Sequence, residues 1–277
     1  MIDKDKKFSE AFLFSGHDLA LGNGVFVKHP TIESILDYSH DEHGLENYCS
    51  SINALICDPY DYMVMLDDMG IDYEEVDNFD VFCYLWNKCY QDYDNNKELF
   101  DLLKIHPVDY IKKALRFFLG KHNFGMSSML FQTKDKPIKD KVLVDIDLIH
   151  DGVCDYVINR NMFCKMSEFI SEINGIDKSQ QIHTKHKKAL IEYMRDEIKR
   201  NHDKHNDTDY SDYIGKIMEA VCFCGNGGIT TFNINQVHIY QLITGFSKFI
   251  KKDNVDHLMN GQYDLSKISK KELNWID

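Results

Sequence analysis

The sequence predicts an α+β fold, predominantly α-helical, with small antiparallel β-hairpins near the N-terminus and in the middle. Three observations carry this expectation. Apolar residues recur at helical spacing over much of the chain, as in Phe79, Phe82, Leu85, Trp86 and Cys89. Gly22-Asn23-Gly24 lies between the β-prone segments 19–21 and 25–27, and both residue types tolerate the positive φ of a tight hairpin turn. Farther on, the apolar stretches 142–149 and 154–158 flank a second turn at His150-Asp151-Gly152.

In chain order, Phe12-Leu13-Phe14 is a short apolar run closed by Gly16 and reads as a strand before the first hairpin. Thr31, after Pro30, is the N-cap expected for a short helix through Ile32, Ile35 and Leu36, because its hydroxyl can accept one of the orphan N–H groups of the first turn. Asp58-Pro59-Tyr60-Asp61 combines an Asp cap, a first-turn proline and a first-turn acid, and predicts a helix running to Gly70. Further helices are expected over 78–90, 96–103 and 107–119, the last two divided by His106-Pro107. Helical periodicity resumes over 161–173 and stops at Gly175. A charged helix with a thin apolar face of Leu190, Met194 and Ile198 follows over 185–201, then helices over 210–221 and 235–251. Gly225-Asn226-Gly227-Gly228 reads as the connector between the last two. Helical patterning gives way to strands near 133–141, which places an expected boundary between an acidic N-terminal region, 1–132, and a second region, 133–277.

A chain of 277 residues is long enough to bury roughly three-quarters of its unfolded surface, so it needs neither disulfides nor metal to hold a core. No apolar run approaches the ~20 residues that a bilayer-spanning helix needs, and the charged start lacks the apolar segment of a secretory signal. The eight cysteines mostly sit in apolar or aromatic stretches without paired C-x-x-C knuckles, which reads as buried free thiols. His183-x-x-His186 and His202-x-x-His205 fall in lysine-rich, hydrophilic surroundings and read as solvated surface.

The net charge of −13 opposes a protein that coats nucleic acid, because phosphate binding needs an excess of Lys and Arg. That charge is polarised. Residues 1–110 carry a net −16, whereas the remainder carries +3. The acidic run centres on Asp67, Asp68, Asp72, Glu74 and Glu75, and the basic run on Lys185, Lys187, Lys188, Arg195, Lys199 and Arg200. The acidic residues are the expected partner-binding surface, meeting either a basic protein or the basic portion of a second copy in a homo-oligomer.

One constellation suggests chemistry. On a strand, Asp145 and Asp147 would face one way, with Asp151 or Asp155 nearby, and such a pair could share a Mg²⁺ for phosphoryl transfer. The competing reading is the polar face of a half-buried hairpin, with Val142, Val144, Ile146 and Leu148 inward. Asp67-Asp68-x-Gly70-x-Asp72 fails the spacing of a calcium loop. The chain contains no P-loop, nucleophile elbow or H-E-x-x-H. The expectation is therefore a protein without catalytic residues, cofactor or metal, whose Met and aromatic side chains suit an adaptable binding surface.

Several stretches resemble a family of proteins from tailed phages and prophages of Gram-positive, clostridia-like hosts. They are Phe14 to Asp37 with Gly22-Asn23-Gly24 and Lys28-His29-Pro30-Thr31-Ile32-Glu33, then Pro59 to Glu74, then Tyr240 to Lys252 and Asp256 to Tyr263. The closing Ile268-Ser269-Lys270-Lys271-Glu272-Leu273-Asn274-Trp275-Ile276-Asp277 resembles it as well. The match is good at both ends, moderate over 190–200 and loose over 91–175. The resemblance implies a non-enzymatic tail assembly chaperone of the virion morphogenesis module, acting in the host cell cytoplasm. Its partner would be the phage tape-measure or tail-tube protein, with neither nucleic acid nor membrane involved. The alternatives are a virion structural component of the connector or baseplate, or a metal-dependent phosphoryl-transfer enzyme using Asp145 and Asp147.

Overall fold

A computed structural model describes residues 8–38, 44–127, 131–132, 137–138, 141–150, 153–176, 186–203, 210–224 and 228–260. It is α+β and dominated by helices, with a two-stranded hairpin near the start and a three-stranded sheet in the middle. The first element departs from the expected strand. It is a helix, α1 (Glu10–Ser15), because the Ser9 side chain accepts the Phe12 N–H at 3.2 Å and Gly16 closes the last turn at φ 72°. A run of three apolar residues is too short for periodicity to separate strand from helix, so the caps decide.

The hairpin of β1 (Leu19–Gly22) and β2 (Val25–Val27) forms where expected, its turn built from Gly22, Asn23 and Gly24, all at positive φ. Leu19, Val25 and Val27 face inward. Thr31 caps α2 (Ile32–Leu36) by accepting the Ser34 N–H at 3.2 Å.

Four helices build the central core: α3 (Gly44–Ile56), α5 (Asn78–Asn95), α7 (Pro107–Leu119) and α8 (Arg160–Ile173). In α7, Pro107 fills the first turn and the apolar stripe Val108, Ile111, Leu115, Phe118 is buried at helical spacing. Helix α5 starts in a capping box, where the Asp77 carboxylate accepts the Asp80 N–H and the Asp80 carboxylate accepts the Asp77 N–H. Arg160, opening α8, bridges both carboxylates at 2.7 Å and ties the two helix starts together. Behind that bridge the Phe163 ring lies 4.4 Å from Phe82 and 5.4 Å from Phe79, centre to centre. Two buried polar contacts link helices of this layer. Asn78 donates to Ile56 O and Ser167 Oγ, and Tyr48 donates to Asn174 Oδ1 at 2.8 Å.

Between Asp58 and Gly70 the helix is shorter than its start signal suggested. Turns cover 59–62, and α4 spans Met63–Asp68. The Asp58 carboxylate accepts the Tyr60 N–H at 3.0 Å, an Asx turn that competes with helix at that point. The expected short helix 96–103 appears as α6 (Lys97–Leu103), none of whose residues is buried.

The middle hairpin differs in its pairing. Strand β6 (Val142–Asp145) is the central strand of a sheet, flanked by β3 (Phe124–Ser127) and β9 (Val157–Ile158), both antiparallel. A separate set of four very short strands, in the order β5-β4-β8-β7, pairs β4 (Phe131–Gln132) with β5 (Pro137–Ile138) and β7 (Ile149–His150) with β8 (Val153–Cys154), joined through a parallel contact of β4 with β8. The expected inward set Val142, Val144, Ile146, Leu148 is corrected accordingly. Val142 and Val144 line a small separate cluster with Cys154 and Val157, Leu143 faces the main core, and Ile146 and Leu148 are exposed.

Helix α9 (Lys187–Asp203) lies against α4, and α10 (Tyr210–Cys224) against α3 and α11 (Ile239–Asn260). The start of α11 is stitched to the N-terminal segment: Ile32 N–H donates to Val237 O, Ile239 N–H to Pro30 O, and Gln241 Nε2 to Phe14 O. One contiguous apolar core therefore runs from Leu13 to Leu242, drawing on both sides of the 133–141 stretch. Of the connector, only Gly228 lies within the described residues, as do neither Asp151 nor His183 nor His205. Cys49, Cys57, Cys83 and Cys154 are buried and unbridged. No described helix is long and apolar enough to cross a membrane.

Candidate functional site

The acidic run is built by the end of α4 and the turn that follows it. Asp67 and Asp68 occupy the last turn of α4, while Asp72 and Glu74 sit in the loop before α5. This surface is occupied from within the chain. Arg195 on α9 spans both aspartates, Nη1 to Asp68 at 2.7 Å and Nη2 to Asp67 at 2.9 Å. Two turns earlier, Lys187 Nζ bridges Asp72 at 2.7 Å and Glu74 at 2.6 Å, and the same nitrogen lies over the Tyr73 ring, 5.8 Å from its centre. The lysine holds the Asp72 carboxyl below its ordinary range, helped by the Glu74 N–H, and the carboxylates in turn raise Lys187 and Arg195. Glu75 is exposed and forms no ion pair among the described residues.

Helix α9 thus acts as a charged clasp, seated on Leu190 and Ile191 and pinned at two points about 12 Å apart at 1.5 Å per helical residue. Exposed pairs of this kind are screened by salt. We expect hydrogen exchange in α9 to accelerate in about 1 M salt, where the screening length is ~3 Å, or in Arg195→Glu, with α7 and α8 unaffected. Unchanged α9 exchange in both cases would show that the apolar seat alone holds the helix.

The Asp145/Asp147 pair does not share a face. Asp145 ends β6 with its carboxylate turned inward and buried, and Asp147 falls in a 3₁₀ turn (Ile146–Leu148) and is exposed. The reason is local. The Asp145 carboxylate accepts the Asp147 N–H at 3.0 Å, which breaks the strand after Asp145. The same carboxylate lies 2.7 Å from His122 Nδ1 and accepts the Asn123 N–H at 3.3 Å. The His122 ring stacks on Tyr156, with 3.9 Å between centres, and the Asn123 amide donates to Asp147 at 3.0 Å. A carboxylate orienting a histidine is an arrangement used in base catalysis. Here it also satisfies a buried charge at the junction of α7 and the sheet. Among the described residues no group of three or more His, Cys, Asp or Glu side chains converges to hold a metal ion, and Asp155, in the turn between β8 and β9, is exposed.

His122 and Asn123 were not legible as partners of Asp145, since they lie more than 20 residues earlier with no spacing signal between them. Nor was a cleft of about 360 Å³, lined by Trp86, Asn87, Tyr90, Lys112, Gly125, Met126, Lys141 and Ile146.

No family model matches the sequence, and no curated protein or solved structure is significantly similar to it.

Proposed function

We propose that this chain is a non-enzymatic protein-binding factor, a phage tail assembly chaperone that holds the apolar tape-measure helix before tail-tube subunits take it over. The observation that supports the reading is α6. Its Leu99, Leu102 and Leu103, with Ile105 just beyond, form an exposed apolar ridge, and Leu102 is 79 % exposed. Helix α6 rests on α5 through Phe100, which stacks on Tyr93. An aliphatic ridge on a short outlying helix suits an apolar helix laid alongside it. The resemblance to tail morphogenesis proteins supplies the partner's identity.

The test is co-expression with an apolar fragment of a tape-measure protein. The chain is expected to keep the fragment soluble, and Leu99→Glu with Leu102→Glu to abolish that effect while the folded state is retained. A fragment as insoluble with the chain as without it overturns the chaperone reading. Recovery of the chain in purified virions would instead assign it a structural role.

A further inference from the structure

Among the described residues, the three-stranded sheet ends in an open edge. Strand β3 pairs with β6 on one side, and no strand of the described residues lies on its other side. The register tells which backbone groups face outward. In an antiparallel ladder, residues that exchange both backbone bonds with the partner alternate with residues that point theirs away. Ile146 N–H donates to Asn123 O at 2.8 Å, which fixes that pair as bonded, so Gly125/Val144 and Ser127/Val142 are bonded in turn. Met126, opposite Leu143, therefore directs its N–H and C=O away from β6. Neither group is taken up by another described residue.

The cleft of about 360 Å³ is lined by Gly125 and Met126 of this strand together with Trp86 and Tyr90 of α5. Lys112 from α7 and Lys141 at the entry to β6 also line it. In a chain of net charge −13, these two lysines form no ion pair with any described residue. Free strand-pairing groups, aromatic rings and two uncompensated cations are thus brought to one place. The volume is at the lower end of ligand clefts, about 300–1,000 Å³, and suits part of an extended chain.

We propose that the open edge of β3 binds an extended acidic peptide segment of a partner protein as a fourth strand. The Met126 backbone supplies the pairing, Lys112 and Lys141 receive carboxylates of the peptide, and the half-exposed Tyr90 ring, packed on the buried Trp86, supports an apolar side chain of the peptide. Main-chain bonds give such a contact its affinity, and the pockets beside the edge give it selectivity. Neither Leu99 nor Leu102 of the α6 ridge lines this cleft, so Leu102→Glu is expected to leave peptide binding unchanged.

The probe is a short fluorescein-labelled peptide of alternating Glu and Val, followed by fluorescence anisotropy with the full chain. Saturable binding is expected, weakened at least about tenfold, or ~1.4 kcal/mol, by Lys112→Glu together with Lys141→Glu. Met126→Pro is expected to weaken it similarly. That change deletes an outward N–H, which an edge strand tolerates. Should Met126→Pro lose its fold, the same peptide N-methylated at alternate residues tests the backbone contact on the unaltered protein and is expected not to bind. Absence of saturable binding to the folded chain overturns the proposal. So does binding that N-methylation leaves intact and that AMP displaces, which would make the cleft a pocket for small anions.

Discussion

Acidification from neutral pH to about 4 is expected to remove about 3 kcal/mol of folding free energy through one side chain, His29. Its ring is 4 % exposed, with Phe169 edge-on at 5.7 Å and His238 at 4.8 Å. Neither ring nitrogen has a hydrogen-bond partner. Burial, and secondarily the neighbouring His238, lowers its pKa from 6.5 to about 4. The sign follows directly. The unfolded chain takes up the proton near pH 6.5, whereas the folded chain refuses it until about 4. The contribution is therefore complete above 6.5, declines through the interval, and is gone below about 4. Urea unfolding at a series of pH values, for the native chain and for His29→Leu, isolates this group because the carboxylates titrate alike in both. The native chain is expected to show the steeper decline. Parallel curves would place a proton acceptor at His29 that its surroundings do not provide.

Asp145→Ala is expected to cost about 3 kcal/mol, and Asp147→Ala no more than about 0.5 kcal/mol. The difference is one of burial and partners. Asp145 is 4 % exposed and its loss strands the His122 imidazole and two backbone N–H groups. Asp147 is exposed and accepts from the Asn123 amide. Asp145→Asn, which keeps the shape and one acceptor oxygen, is expected to fall between them. The midpoint of urea unfolding at constant slope measures all three. Equal, small effects would mean that the His122–Asp145 contact is not structural, and would return the pair to the enzymatic alternative.

Where local pattern and cap agree, the elements formed as the sequence implies. Helix α7 carries Pro107 in its first turn and a continuous stripe to Phe118, and the hairpin turn carries Gly-Asn-Gly. Errors arose where a short-range bond outweighed periodicity. The Ser9 cap turned Phe12–Phe14 into helix, and the Asp145 carboxylate, by taking the Asp147 N–H, ended a strand that the alternating pattern would have continued. The candidate surfaces were legible in composition but not in arrangement. Asp67 and Asp68 announce a negative patch, yet their counter-ion Arg195 lies nearly 130 residues on. The open edge at Met126 follows only from register, which no local residue pattern specifies there.

The stitching of Pro30 and Ile32 to Val237 and Ile239 also has a consequence for how the molecule comes into being. The receiving surface emerges from the ribosome more than 200 residues before the helix that covers it. At about 5–20 residues per second, the interval is roughly 10–40 s. During that time His29 and the neighbouring apolar side chains lack their covering rings, and the core cannot close in the order in which it is made. For that interval the nascent chain presents to the cell a surface that the finished fold hides.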